Sequence, residues 1–443
     1  MATLVIATPT LGPRANCLES ARVSTLPEVR DTGRVGERLD HRHSLRRPEF
    51  TAPAGGLRYP LTVYAISRLF YLAIALADLL IRGGTLAGQV ANWDGRWYLL
   101  TVSVWYPHLV YHTQDTLGFF PLFPMLMWVI AQPLHAFGLH SHTIVPSLGL
   151  NVLTSYVIAG VIAALVSGAV ATVLLARLAE RWWGEAAGRR AILFFCLFPG
   201  TIVFSMIYTE GLLLALLAAA FLALERKRWL TAGILAGFST AVGPTAAAII
   251  PAFAIVSLVE IRRHGWRDPE ARRSLLAPIL APAGLVAFGA YLWAWTGSPF
   301  ASYTTQHAIW GWSETSSPLA IPNQIGTLIS EIKVSTFSNL VIDLNIIAGL
   351  FGTVFLLYAL WRLWKWRHRV GLGALLWTVG VAVLTLTSAH VPPNPRLLIC
   401  AFPAVLVVGA EAHGRGQRKL LAWTAVITVA MSIGTFVGTG LRP

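Results

Sequence analysis

LTVYAISRLFYLAIALADLLI, residues 61–81, is the stretch on which the fold class turns. It is apolar over about the 20 residues that a helix needs to cross the hydrocarbon core of a bilayer. Comparable runs recur at Leu340 to Trp361 and Gly371 to Ser388. Of the 443 residues, 55% are apolar and 12% charged, against roughly 25% charged in an average soluble domain. A soluble globular protein is excluded, and the expectation is an all-α, polytopic transmembrane bundle. The apolar segments are 61–81, 146–178, 190–207, 209–225, 229–243, 244–260, 275–296, 338–361, 371–388, 397–412 and 420–439. That makes about eleven spans, with the pairs meeting at Tyr208/Thr209 and Gly243/Pro244 each readable as one bent block.

Residues 1–59 are polar, Arg-rich and broken by Pro and Gly, which predicts a disordered basic cytoplasmic tail ahead of a transmembrane domain over 60–440. With 34 Lys and Arg against 20 Asp and Glu the formal charge is +14. In a soluble chain that would suggest nucleic acid as partner. Here the charge sits in short loops between apolar runs, so orientation in the membrane explains it and no nucleic acid is expected. Cys17, Cys196 and Cys400 are scattered, without disulfide or metal spacing.

The segment 119–137 is apolar enough to be a span, and the charge bias decides against it. If it lies along the outer interface, the basic clusters at 177–190, 226–228, 262–273, 362–369 and 415–419 are all cytoplasmic, and they carry 19 Lys and Arg. The outer side then keeps only Arg82, Arg96, Lys333, Arg396 and Arg442. Pro121, Pro124 and Pro133 also suit a half-submerged helix, since each removes a backbone donor. Two outer loops, 82–146 and 297–337, are long enough to build a site. The sequence has no nucleotide-binding glycine pattern and no His/Cys cluster with metal spacing.

The first outer loop carries Asn92-Trp93-Asp94-Gly95-Arg96-Trp97-Tyr98. A carboxylate at the bilayer surface, shielded by Trp93, Trp97 and Tyr98, suits proton abstraction from a sugar hydroxyl. The plain alternative is that Asp94 caps the following helix, and that Arg96 touches lipid headgroups. Gly118-Phe119-Phe120-Pro121-Leu122-Phe123-Pro124 reads as an interfacial anchor. Tyr208-Thr209-Glu210 puts an acid at a membrane edge, where function and a helix-start carboxylate compete. Pro393-Asn394-Pro395-Arg396 supplies a scarce outer cation suited to a lipid phosphate, of a substrate or of a headgroup. His108, His112 and His307 lie among aromatics in the two long loops and are candidate sugar contacts. Asp78 and Asp343 fall inside apolar runs, with partners that the sequence does not name.

These motifs together resemble the PIG-V family of mannosyltransferases, membrane enzymes of the GT-C superfamily. The resemblance rests on Trp93-Asp94-Gly95 with Trp97-Tyr98, then Phe119 to Pro124, Phe198-Pro199 with Tyr208-Thr209-Glu210, and Pro395-Arg396 leading into Phe402-Pro403. It covers about 60–412. It implies a GT-C-type bundle with interfacial helices in the first outer loop, in an integral, multi-pass protein of the plasma membrane if the source is bacterial. The implied activity is transfer of mannose from polyprenyl-phosphate mannose to a glycolipid or glycan hydroxyl on the extracytoplasmic face. Asp94 would be the general base, Arg396 would hold the donor phosphate, and Trp93, Arg96, Trp97, Tyr98, His108, His112, Tyr208, Glu210 and His307 would contact substrate. No cofactor is implied; a divalent metal on Asp94 and Glu210 is the minority alternative. One departure stands out, since the family's Arg before a Pro-Thr/Asn-Gly stretch is here Gly243, followed by Pro244-Thr245-Ala246. Two other classes compete: a lipid-linked sugar flippase, which should carry its ionisable residues at the bilayer midplane, and a non-catalytic partner subunit.

Overall fold

The computed structural model describes residues 56–110, 115–137, 154–309, 317–332, 337–388 and 393–436. By internal contacts the chain divides into Met1–Thr51 and Ala52–Pro443. The expected tail lies outside the described residues up to position 55, and its proposed end at 59 falls one residue inside the first helix. Among the described residues every regular element is helical. They run α1 (Arg58–Arg82), α2 (Leu86–Val90), α3 (Asp94–Val104), α4 (Leu122–Ala136), α5 (Thr154–Trp183), α6 (Glu185–Leu197), α7 (Glu210–Glu225), α8 (Trp229–Thr240), α9 (Ile249–His264), α10 (Pro269–Arg273), α11 (Leu276–Leu280), α12 (Ala283–Thr296), α13 (Ala301–Ile309), α14 (Ala320–Ile332), α15 (Phe337–Lys365), α16 (Leu372–Leu386), α17 (Pro395–Cys400), α18 (Phe402–Glu411) and α19 (Gly414–Phe436).

Six of these stretches are long and apolar enough to cross a membrane: Arg58–Arg82, Ser155–Trp183, Pro244–His264, Pro269–Thr296, Leu344–Lys365 and Gly414–Phe436. A seventh forms if α6 and the 3-10 segment Pro199–Ser205, bent by 72° to each other, count as one span. The other segments expected to cross are α7, α8, α16 and α18, of 16, 12, 15 and 10 residues. At 1.5 Å per residue these are shorter than the roughly 30 Å hydrocarbon core. Proline accounts for several interruptions. Pro199, Pro244 and Pro403 each lack the amide hydrogen that a continuing helix needs, so α6, α9 and α18 are set off from what flanks them. The basic cluster 177–190 is not a loop as expected. α5 runs on through Arg177 and Arg181 to Trp183, and a single residue, Gly184 at φ +85°, turns the chain into α6.

α7 is buried nearly all round its circumference and forms the centre of the bundle, packed against α5, α8 and α16. The outer helices turn large apolar side chains outward, among them Leu80, Trp293, Phe351 and Trp423, each more than 60% exposed. Apolar on the outside as well as in the core, the chain is an integral membrane protein.

The two long loops meet where the 3-10 turn Thr116–Gly118 docks on α13, with Gln306 Nε2 donating to the Gly118 carbonyl at 2.8 Å. Asp115 caps this turn through Oδ1, which accepts from the Leu117 amide at 2.8 Å, while its buried Oδ2 has no hydrogen-bond partner. Burial pushes the Asp115 carboxyl up to about 6, against the lowering effect of the Leu117 amide. A carboxyl raised in the folded state favours folding while protonated, so its contribution is full below about 4 and lost as pH rises through about 6. The thermal midpoint of the solubilised protein should therefore fall across that window. Asp115→Asn stays neutral and keeps the acceptor for Leu117, and should flatten that part of the profile. An unchanged slope in the variant would reject the assignment.

Candidate functional site

Three helix starts converge. α3 begins at Asp94, α7 at Glu210 and α17 at Pro395, and the side chains at these starts meet although they come from positions 94, 210 and 396. Local sequence fixes each start. Asn394 caps α17, its Oδ1 accepting from the Leu397 amide at 2.9 Å, with Pro395 pre-set at the first helical position. The 3-10 segment Pro199–Ser205 ends just before Tyr208, and the Ile207 amide bonds the Val90 carbonyl at 2.8 Å, which ties the approach to α7 to the end of α2. Before α3 the chain passes through Trp93 at φ +56°, a left-handed conformation costly for a bulky residue and common at functional sites.

Arg396 is the hub. Its Nη1 bonds Asp94 Oδ2, its Nε lies 3.5 Å from Glu210 Oε1, and its guanidinium carbon stands 5.3 Å from the centre of the Tyr208 ring. Tyr208 is itself held in place. Its hydroxyl accepts from the Asp94 amide at 3.2 Å and donates to the Asn92 carbonyl at 3.4 Å. Tyr98 is buried beside them, its hydroxyl 3.4 Å from Thr209 Oγ1 and its ring edge-on to Phe119 and Phe123. Asp94 is half-buried and Glu210 only 7% exposed. Glu210 Oε2 and Arg396 Nε are buried with no hydrogen-bond partner. The Arg396 and Glu210 charges offset each other at 3.5 Å, as charges taken out of water must.

The remaining sequence candidates divide. Trp97 stacks on Phe119 at 5.7 Å with planes 11° apart, and Trp93 packs against the main core. Arg96 is exposed. His108 stacks on Trp295, with ring centres 3.7 Å apart, and so contacts α12. His112 lies outside the described residues, and His307 lies on α13 with its side chain outside them. Asp343 lies on α15 with its side chain outside the described residues, while Asp78 accepts from Gln89 Nε2 at 2.8 Å and has Arg82 at 3.8 Å.

Two readings from the sequence change. Asp94 does not cap α3: the capping position is Trp93, there is no side-chain cap bond, and the Asp94 carboxylate goes to Arg396 instead. Arg396 is not a lone cation, because it carries two carboxylates. Sequence reasoning quoted Asn92 and Thr209 within their motifs without giving either a role, and it missed Gly200. A Cβ on Gly200 would stand 2.0 Å from the Pro395 carbonyl oxygen, so only glycine lets the 3-10 segment touch the start of α17. The Asn-Pro pair at 394–395 was the visible cue for a helix start there; the glycine contact has no cue in one sequence.

Comparison with known proteins adds the family. Residues 140–389, which are 250 of the 443, match the profile of glycosyltransferase family 87. The matched region contains Tyr208 and Glu210 but neither Asp94 nor Arg396. No curated protein matches the chain. Among solved structures the chain is similar to the oligosaccharyltransferase of Archaeoglobus fulgidus. With an acceptor peptide tethered to that enzyme, the TM-score is 0.47 at 13% identity, over 87% of this chain and 56% of that one. In its apo form the values are 0.45, 14%, 86% and 55%. The chain thus spans about half the length of that enzyme. Because the profile covers more than half of its residues, the chain belongs to glycosyltransferase family 87.

Proposed function

We propose that this membrane glycosyltransferase is of the GT-C type and moves a sugar, mannose on the PIG-V resemblance, from a polyprenyl-phosphate donor to a glycolipid or glycan hydroxyl on the extracytoplasmic face. The observation that carries the reading is the Asp94–Arg396–Glu210 cluster, an acid and a guanidinium already in contact at the convergence of three helix starts. Asp94 takes the proton of the acceptor hydroxyl as that oxygen attacks the anomeric carbon from the face opposite the phosphate. The bond from the anomeric carbon to the phosphate oxygen breaks, and its electron pair leaves with the phosphate. Arg396 stabilises that charge with two parallel donors. In the free protein Asp94 is neutralised by Arg396. The incoming phosphate competes for the guanidinium, and Asp94 becomes a usable base when Arg396 turns to the donor.

An apolar recess of about 440 Å³ supports a lipid-borne substrate. It is lined by Leu126 and Ile130 of α4, Val166 and Val170 of α5, and Leu212 and Leu216 of α7, and it begins two residues along α7 from Glu210. Such walls suit a branched hydrocarbon chain and offer nothing to a nucleotide.

Purified protein incubated with radiolabelled polyprenyl-phosphate mannose and a mixed lipid extract should yield a labelled glycolipid, which disappears in Asp94→Asn. Absence of label from the wild type with mannose, glucose and pentose donors alike would reject the reading. The orientation is tested separately, in cells, with single cysteines and an impermeant thiol reagent. Thr113→Cys should label and Gly184→Cys should not; the reverse pattern would put the cluster on the cytoplasmic side.

A further inference from the structure

Arg68 lies within α1, in a stretch that passes as a membrane span, and is only 8% exposed. Among the described residues it has no carboxylate partner. Its donors are nonetheless taken up. Nη1 donates to the Thr201 carbonyl at 2.6 Å and to Ser205 Oγ at 3.1 Å, Nη2 to Thr201 Oγ1 at 3.3 Å and to Ser67 Oγ at 3.2 Å, and Nε to Ser67 Oγ at 3.3 Å. Three aromatic rings enclose the charge, with centres 4.6 Å (Tyr71), 5.1 Å (Tyr64) and 5.7 Å (Phe204) from the guanidinium carbon. A cation inside a bilayer is expensive and needs a reason. With every donor group engaged, Arg68 is not waiting for an anionic ligand. Its grip is on the segment Pro199–Ser205, where the break after α6 leaves backbone that no regular helix satisfies.

That segment is the platform of the site. At one point Gly200 presses on the Pro395 carbonyl, next to Arg396. At its far end it leads through Ile207 and Tyr208 into Glu210. We infer that Arg68 is a positioning residue, which fixes the broken span from within the membrane and thereby sets Arg396 against Asp94 and Glu210. The planar fork is required, because it reaches Thr201, Ser205 and Ser67 at once; an ammonium offers one point.

The inference rests on the transfer reaction proposed above, so its test includes a readout that needs no activity. In full-length protein carrying Cys17→Ser, Arg68→Gln and Arg68→Lys should each raise the donor KM by about fivefold or more and leave the acceptor KM unchanged, since a displaced Arg396 meets the donor phosphate badly. Ser205→Ala, which removes one bond, should move the donor KM the same way by about twofold. A merely structural role would lower the active fraction, so that turnover falls while both KM values stay fixed. Cys400 is buried on α17, with Sγ 3.8 Å from the Arg396 carbonyl. Its rate of maleimide labelling, followed by mass spectrometry, should rise in the Arg68 variants at a temperature where the tryptophan fluorescence stays native. Unchanged donor KM, or Cys400 labelled at the wild-type rate, overturns the inference. If the wild type transfers no sugar, the functional reading fails, and Cys400 labelling alone decides this one.

Discussion

Asp94→Asn should abolish sugar transfer, with a rate loss of roughly a hundredfold to ten-thousandfold at saturating donor. The size follows from losing the proton acceptor while keeping the geometry. Asn preserves shape and no longer competes as a charge for Arg396, so the donor KM should not rise. The start of α3 should survive too, because its capping position is Trp93 and no cap bond comes from Asp94. Initial rates with radiolabelled donor, beside the thermal midpoint, separate the two contributions. Turnover at the wild-type rate with an unchanged midpoint would remove Asp94 from the chemistry.

Arg396→Ala should cost both donor use and stability. On the functional side a guanidinium grips two phosphate oxygens where an ammonium acts as a point charge, so Arg396→Lys should weaken donor use partially and Arg396→Ala severely, with acceptor affinity changed much less. On the structural side the alanine leaves the buried Glu210 without its counter-charge. Breaking such a pair by removing one partner typically costs about 3–5 kcal/mol. A second substitution separates the effects. Arg396→Ala combined with Glu210→Gln should recover much of the lost thermal stability, because the uncompensated charge is gone, and recover none of the donor use. Wild-type dependence on donor concentration in Arg396→Ala would reassign the phosphate contact to Arg82, Arg96 or a protonated histidine such as His307.

The helical class and the membrane location were legible from residues 61–81 onward, because a bilayer demands a long apolar run and little else of sequence. The segment boundary at Pro244 was legible, whereas 190–207 and 397–412 read as unbroken across Pro199 and Pro403, and the turn at Gly184 was hidden in what read as a basic loop. Asp94, Tyr208, Glu210 and Arg396 were legible as residue types at helix edges. Their partnership was not, since no local pattern links positions 94, 210 and 396. The stacking of His108 on Trp295 of α12 was equally out of reach, since the two residues lie far apart in the chain.

The sequence by itself therefore determined the solvent of this protein and the inventory of its polar groups, because hydropathy and helix punctuation are read over a few turns of chain. Only the tertiary structure decided that Arg396 sits on Asp94 and beside Glu210, and that Arg68 holds the broken span beneath them. The physical reason is range. A charge in a poorly solvated place must find its partner through space, and the close approach that permits it, Gly200 against Pro395, depends on a missing side chain whose effect appears only when two distant segments touch.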